Sequence, residues 1–146
     1  MFMLGYEVEI GHMEAINLVS SSKYVEKQVG YMFVSVLLNE TSELLKLCIQ
    51  AVHDDIKSGD DTKQCLALCL IGNLGNKDFA EALYADVQRL LFGQMGQTQP
   101  IVKKKACLAL LRLFRKIPEV SLYLFIYLSI YLSIYLSIYL SIYLSI

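Results

Sequence analysis

The residues of this sequence that could carry out chemistry are thiols, imidazoles and ammonium groups. The thiols belong to Cys48, Cys65, Cys69 and Cys107, and the two imidazoles belong to His12 and His53. Each cysteine lies in an apolar run and none forms a C-x-x-C pair, so we expect buried free thiols that act as small hydrophobic side chains. The histidines show no spacing that would complete a zinc site, so no metal is predicted. Free thiols also indicate a reducing compartment.

Two other patterns contain residue types that occur in reactive or phosphate-binding sites. His53 is followed by Asp54 and Asp55, a combination that could exchange protons, but no nucleophile accompanies it, and an exposed helix end is the better interpretation. The GNLG segment at residues 72–75 follows no predicted strand and precedes no Lys-Ser/Thr pair, unlike a phosphate-binding loop. The sequence therefore predicts no catalysis and no cofactor.

A basic cluster ends the charged part of the chain. Its lysines Lys103, Lys104 and Lys105 are candidate lipid-binding residues, since a cation near an acidic membrane surface contributes about 1 kcal/mol. The alternative is a solvated helix face whose cations favour the helix C-terminus. The formal net charge of the whole chain is only -1, which gives no reason to expect a nucleic-acid partner.

The elements that would position these residues lie in the first 119 residues, because all 13 Lys+Arg and all 14 Asp+Glu occur there. From residue 127 onward the sequence is YLSI repeated five times. A repeated TATC unit read in any forward frame encodes this cycle, so residues 120–146 are predicted to be a low-complexity apolar tail translated from a microsatellite. Varied synonymous codons in the gene would contradict this hypothesis. A membrane-spanning helix and an amphipathic strand are the alternatives.

Capping residues and helix breakers predict an all-α fold for residues 1–119. Asp78 and Glu81 have the spacing of a capping box, Pro100 suits the first turn of a helix, and Pro118 would end one. The predicted helices cover residues 12–19, 24–38, 43–57, 63–74, 79–92 and 101–117.

An internal repeat indicates how these helices pack. CLALCLIG at residues 65–72 matches CLALLRLF at residues 107–114, an offset of 42, and Lys27-Gln28 matches Lys63-Gln64, an offset of 36. A helix-pair repeat of about 40 residues is typical of HEAT and armadillo arrays, in which each pair buries its apolar face against the next. We therefore predict a HEAT/armadillo-like α-solenoid fragment of about six helices. Neither end has a polar capping repeat, so we expect a longer stack.

Six segments of residues 3–119 carry a resemblance to a known family. They are MLGYEVEIGHMEAINL (3–18), KYVEKQVGY (23–31), SELLKLCIQAVHDD (42–55), CLALCLIGNLG (65–75), DFAEALYADVQRLL (78–91) and VKKKACLALLRLFRKIPE (102–119). Together they resemble the N-terminal trunk of alpha-adaptins, large subunits of plasma-membrane clathrin adaptors. GHMEA at residues 11–15 and DFAE at residues 78–81 favour the alpha type over the gamma type.

The resemblance implies a non-enzymatic scaffold in vesicle-mediated protein transport and clathrin-dependent endocytosis. It implies beta, medium and small adaptor chains as partners, and a cytoplasmic location at phosphoinositide-bearing membrane in coated pits. The family's lipid-binding basic run would precede residue 3 and has no counterpart here, so no binding residue is carried over. The alternatives are a gamma-type adaptin of Golgi or endosomal coats, a membrane-anchored helical fragment, and a non-functional gene-model fragment.

Overall fold

Six α-helices, and no strand, occur in the residues that the computed structural model describes, which are residues 10–92 and 98–116 with Ile130 and Ser133. This confirms the predicted all-α fold class. The helices are α1 (His12–Val19), α2 (Tyr24–Leu37), α3 (Leu45–Lys57), α4 (Asp61–Leu74), α5 (Lys77–Phe92) and α6 (Pro100–Phe114).

The helix starts follow from local hydrogen bonding. The Asp60 side chain accepts a hydrogen bond from the Thr62 amide at 3.0 Å and thereby caps α4. Hydrogen bonds from the Thr62 side chain and then its backbone lower the pKa of Asp60. The predicted Asp78–Glu81 capping box is wrong, because the cap of α5 is Asn76, whose side-chain oxygen accepts from the Phe79 amide at 3.0 Å. Pro100 lies in the first turn of α6, as predicted.

Helix α3 begins two residues later than the sequence suggested. The amides of Leu45 and Lys46 donate to the carbonyls of Ser42 and Glu43, three residues back, at 3.2 and 3.1 Å. This spacing is that of a tight 3₁₀-type turn, which precedes the first α-helical hydrogen bonds. Neither predicted cap, Thr41 nor Ser42, is used, because the N-cap position is Leu44 and it makes no side-chain cap hydrogen bond.

The six helices form two layers of three. Consecutive helices pair, α1 with α2, α3 with α4, and α5 with α6. Helices α2, α4 and α6 lie side by side in one layer, and α1, α3 and α5 lie in the other. This stack of three hairpins confirms the predicted HEAT-like arrangement, in which the helices that carry the sequence repeat are neighbours.

Four equivalent positions recur, buried, in each helix of the α2–α4–α6 layer. They are Lys27, Gly30, Tyr31 and Val34 in α2; Gln64, Ala67, Leu68 and Ile71 in α4; and Ala106, Ala109, Leu110 and Leu113 in α6.

These positions correct the predicted register of the first two repeats from an offset of 36 to an offset of 37. Lys27 donates to the carbonyl of Val19 at 2.8 Å, and Gln64 donates to the carbonyl of Ile56 at 3.0 Å, eight residues back in both cases. Lys27 is therefore equivalent to Gln64 and not to Lys63. The offset of 42 to the third repeat agrees with the sequence match.

The chain divides by its internal contacts into two units, Met1–Lys116 and Ile117–Ile146. The predicted boundary between residues 1–119 and 120–146 lies outside the described residues, so it stays a prediction. The predicted end of the last helix at residue 117 lies outside them too, while α6 ends at Phe114. Within the part that is described, no helix has the length and apolar character needed to cross a membrane.

Candidate functional site

A buried ion pair joins α2 to α3, and its lysine also donates to the Val19 carbonyl at the end of α1. The Lys27 ammonium donates to both carboxylate oxygens of Asp55, at 2.9 and 2.8 Å, and the Tyr31 hydroxyl donates to the same carboxylate at 2.6 Å. Burial, followed by the hydrogen bond to Asp55, raises the pKa of Tyr31. Asp55 is only 5% exposed, so its predicted place on an exposed helix end is wrong, and its role in this closed network is structural.

A second carboxylate, Asp86 of α5, lies among cationic side chains and the His53 ring. The Nε2 atom of His53 is 3.4 Å from Asp86 Oδ2, and the Lys57 ammonium is 3.6 Å from Asp86 Oδ1. Arg89, one turn further along α5, lies 3.4 Å from the same Oδ1 atom. His53 therefore lies at an ion-pair contact between α3 and α5. No nucleophile is among these contacts, which link helices and show no arrangement for proton transfer to a substrate.

Glu40, in the loop between α2 and α3, links all three hairpins. Its side chain accepts hydrogen bonds from Arg112 of α6 and, at 2.6 Å, from the Lys116 ammonium just beyond α6. Its backbone carbonyl accepts from the Asn76 side chain at 3.1 Å, in the loop between α4 and α5. The sequence offered no signal for this contact, because Glu40 and Arg112 are 72 residues apart.

A groove of about 390 Å³ runs between α4 and α6 on their shared layer. Lys105 lies on its α6 side, with its ammonium 2.7 Å from the Cys69 sulfur of α4, and this hydrogen bond raises the pKa of Lys105. The lining residues are Leu68, Cys69, Gly72 and Asn73 from α4, and Lys105, Leu108, Leu111, Arg112 and Arg115 from α6. Cationic and aliphatic side chains thus meet in one recess.

The three candidate lipid-binding lysines do not share one face of α6. Consecutive residues of an α-helix are separated by about 100° around its axis, so their side chains diverge. Lys104 is exposed, whereas Lys103 and Lys105 are half-buried, and only Lys105 lines the groove. Lipid binding by Lys103, Lys104 and Lys105 remains a hypothesis.

The comparison with known protein families decides what kind of stack this is. A family model described as the adaptin N terminal region matches residues 1–123. The chain belongs to the adaptin family. The resemblance found in the sequence is thereby confirmed, and the two-layer stack is the fold that this resemblance implied.

Individual relatives support the alpha type. This adaptin chain is similar to the AP-2 complex subunit alpha-1 of Arabidopsis thaliana, with 56% identity over 117 residues, which cover 80% of this chain and 11% of the relative. It is 43% identical over 119 residues to the AP-2 complex subunit alpha of Schizosaccharomyces pombe, covering 82% of this chain and 13% of that protein. Identity to the human AP-1 complex subunit gamma-like 2 is 35% over 119 residues, which cover 82% of this chain and 15% of that protein. The adaptin chain thus spans between 11% and 15% of these relatives.

The cysteines of this adaptin chain differ in exposure. All four are free, Cys48 is buried, Cys65 and Cys107 are half-buried, and Cys69 is exposed. The expectation of a buried thiol is therefore correct for Cys48 and wrong for Cys69, which lies on the side of α4 that lines the groove. Burial raises the pKa of Cys48 to about 11. In the described part of the chain, no group of three potential metal-binding side chains occurs.

We expect iodoacetamide to alkylate Cys69 first and Cys48 last in the native adaptin chain at neutral pH. The thiolate is the nucleophile, and the pKa of about 11 together with burial keeps Cys48 protonated and inaccessible. Peptide mass spectrometry of samples quenched over time measures each rate. As a control, alkylation in denaturant should remove the difference. Native Cys48 reacting as fast as Cys69 would contradict the packing of α3.

Proposed function

We propose that this adaptin chain is part of a scaffold subunit of a clathrin adaptor coat, of the alpha type found at the plasma membrane. In this role it acts in vesicle-mediated protein transport and clathrin-dependent endocytosis. The observation that carries the proposal is the higher identity to AP-2 alpha subunits, 56% and 43%, than to an AP-1 gamma-like subunit, 35%. The gamma-type alternative is correspondingly less favoured.

The described residues suit a binding scaffold because their charged groups connect helices. Asp55 joins α2 to α3, the Asp86 contacts join α3 to α5, and Glu40 joins the first interhairpin loop to α6. Adaptins are structural coat adaptors, and we propose the same non-enzymatic role here. A stack whose helices are joined by such links presents a fixed surface to partners, which lowers the entropic cost of binding them.

The partners that we propose are the beta, medium and small chains of the adaptor and a phosphoinositide-bearing membrane surface. The chain would then reside in the cytoplasm, peripherally attached at coated pits. Lys103, Lys104 and Lys105 remain the only named candidates for membrane contact. Loss of vesicle binding on replacing all three with alanine would support them, and unchanged binding would exclude them.

Co-purification from cells tests the adaptor assignment. A tagged version of the chain is expected to recover the small chain of the plasma-membrane adaptor. Recovery of the Golgi or endosomal small chain would indicate the gamma type instead, and recovery of no adaptor chain would contradict the scaffold role. A matched variant with Asp55→Ala, which should destabilise the folded stack, is expected to recover less of either small chain.

Carbonate extraction separates this proposal from the membrane-anchored alternative. A peripheral coat protein is expected to wash off membranes, whereas a spanning protein stays in the pellet. A chain truncated after residue 119 is the matched control, since it lacks the apolar tail. If only the full chain resists extraction, the tail acts as an anchor and the peripheral location is wrong.

A further inference from the structure

The groove between α4 and α6 is basic and aliphatic, and no carboxylate lines it. The sequence explains this, because residues 62–76 and 100–116 contain no Asp or Glu, while the second segment carries six Lys and Arg. The groove therefore favours an anionic occupant.

Two cations of the groove are available to such an occupant. Arg112 already contacts Glu40, and it also donates to the Asn73 carbonyl at 3.3 Å, so its charge is largely compensated. The Lys105 ammonium donates a hydrogen bond to the Cys69 sulfur, and Arg115 is exposed. Among the ion pairs of residues 10–92 and 98–116, neither of these two cations has a carboxylate partner. A ligand with two carboxylates would complement both.

The same groove offers space for an aliphatic side chain. Leu108, which lines the groove, is 64% exposed. A Cβ atom built on Gly72 would meet no atom within 4 Å, so the floor of the groove is open at this point. Covering Leu108 with a second aliphatic group would remove apolar surface from water, which favours binding.

We propose that this groove docks an acidic segment of a partner protein that carries one aliphatic side chain. The aliphatic side chain lies over Gly72 against Leu108, and flanking carboxylates bind the Lys105 ammonium and the Arg115 guanidinium. A flat anionic membrane fits less well, because Lys103 and Lys104 project from α6 in directions other than that of Lys105, so the three charges do not face one plane. Docking here does not require the chain to be assembled into an adaptor complex.

Fluorescence anisotropy with the full chain tests the proposal. The probe is a labelled synthetic peptide that is rich in glutamate and has one central leucine. Gly72→Leu fills the groove from its floor and is expected to weaken binding roughly tenfold, without lowering the melting temperature, since glycine is unfavourable within a helix. Gly72→Ala, which adds only one methyl group to open space, is the matched variant that should keep most of the binding.

The charge contribution is tested with neutral replacements. Lys105→Gln combined with Arg115→Gln is expected to weaken peptide binding roughly tenfold. Lys104→Gln, which removes an exposed charge from the same helix outside the groove, should change it little. Replacing glutamate by glutamine in the peptide, or its leucine by serine, should each reduce affinity.

Three results would overturn the proposal. One is unchanged binding by the Gly72→Leu variant when circular dichroism shows it folded. Another is an equal loss from Lys104→Gln, because binding would then follow net charge alone. The third is binding to phosphatidylserine vesicles without binding to the peptide, which would make this face a membrane surface.

Discussion

Replacing Asp55 with alanine is expected to lower the free energy of unfolding by about 3–5 kcal/mol, because it leaves the buried Lys27 ammonium without a counter-charge. Lys27 and Asp55 are only 6% and 5% exposed, so water cannot replace the lost partner. The Tyr31 hydroxyl loses its acceptor in the same variant. Chemical denaturation of the full chain, followed by circular dichroism, measures the effect.

Two further variants distinguish the buried pair from ordinary charge removal. Asp54→Ala, next in sequence but with a side chain 65% exposed, should change stability by less than about 0.5 kcal/mol. The double variant Lys27→Met with Asp55→Leu should lose much less than Asp55→Ala, because an apolar pair needs no charge compensation. Equal effects of Asp54→Ala and Asp55→Ala would contradict the α2–α3 packing.

Replacing Gly30 with alanine is expected to destabilise the stack by about 1–3 kcal/mol or more, as overpacking does. A Cβ atom at this position would lie 2.6 Å from the Val19 amide nitrogen and 2.7 Å from the Leu18 carbonyl carbon. These are backbone atoms of the α1 C-terminus, so relief requires α1 to move away from α2. The clash outweighs the gain of about 1 kcal/mol that alanine normally brings to a helix.

Gly72→Ala provides the matched comparison, because it makes the same change within a helix but in open space. We expect it to stabilise the chain by about 0.5–1 kcal/mol. Thermal and denaturant unfolding of the two variants should therefore shift in opposite directions. If Gly30→Ala is as stable as Gly72→Ala, α1 does not approach α2 as closely as the structure shows.

Much of the fold could be predicted from residues that act over one helical turn. The bounds of α1 agree with the prediction, and Pro100 lies where its fixed φ angle and missing amide hydrogen suit a first turn. The cap of α5 was missed because Asp78 and Glu81 have the spacing of a capping box, whereas the cap is the Asn76 side chain, which accepts from the Phe79 amide. Which of two nearby polar residues caps a helix depends on where the helix begins.

The repeat register was predicted correctly where the sequence match was long and wrongly where it was short. The match between residues 65–72 and 107–114 was long enough to give the correct offset of 42. The match between Lys27-Gln28 and Lys63-Gln64 was only two residues long and gave an offset that was wrong by one. Burial of Lys27 and Gln64 corrects it, because both side chains reach the end of the preceding helix.

A usable sequence signal existed for Asp55. The buried residues of α3 are Leu45, Cys48, Val52, Asp55 and Ile56, whose spacing of three and four places the carboxylate on the apolar face. A charged residue at such a position requires a buried partner. The sequence did not indicate that this partner is Lys27, which is 28 residues away.

The sequence alone determined the helical class, the hairpin repeat and the adaptin resemblance, because caps, apolar periodicity and motif identity each depend on residues that are close together in the chain. Only the tertiary structure decided which distant side chains meet. Glu40 with Arg112, Lys27 with Asp55 and Lys105 with Cys69 depend on the spacing and crossing of helices, which many packed side chains set together. The groove also depends on helix packing, since its two walls come from separate repeats. The open space at Gly72 becomes part of a groove only because α6 lies beside α4.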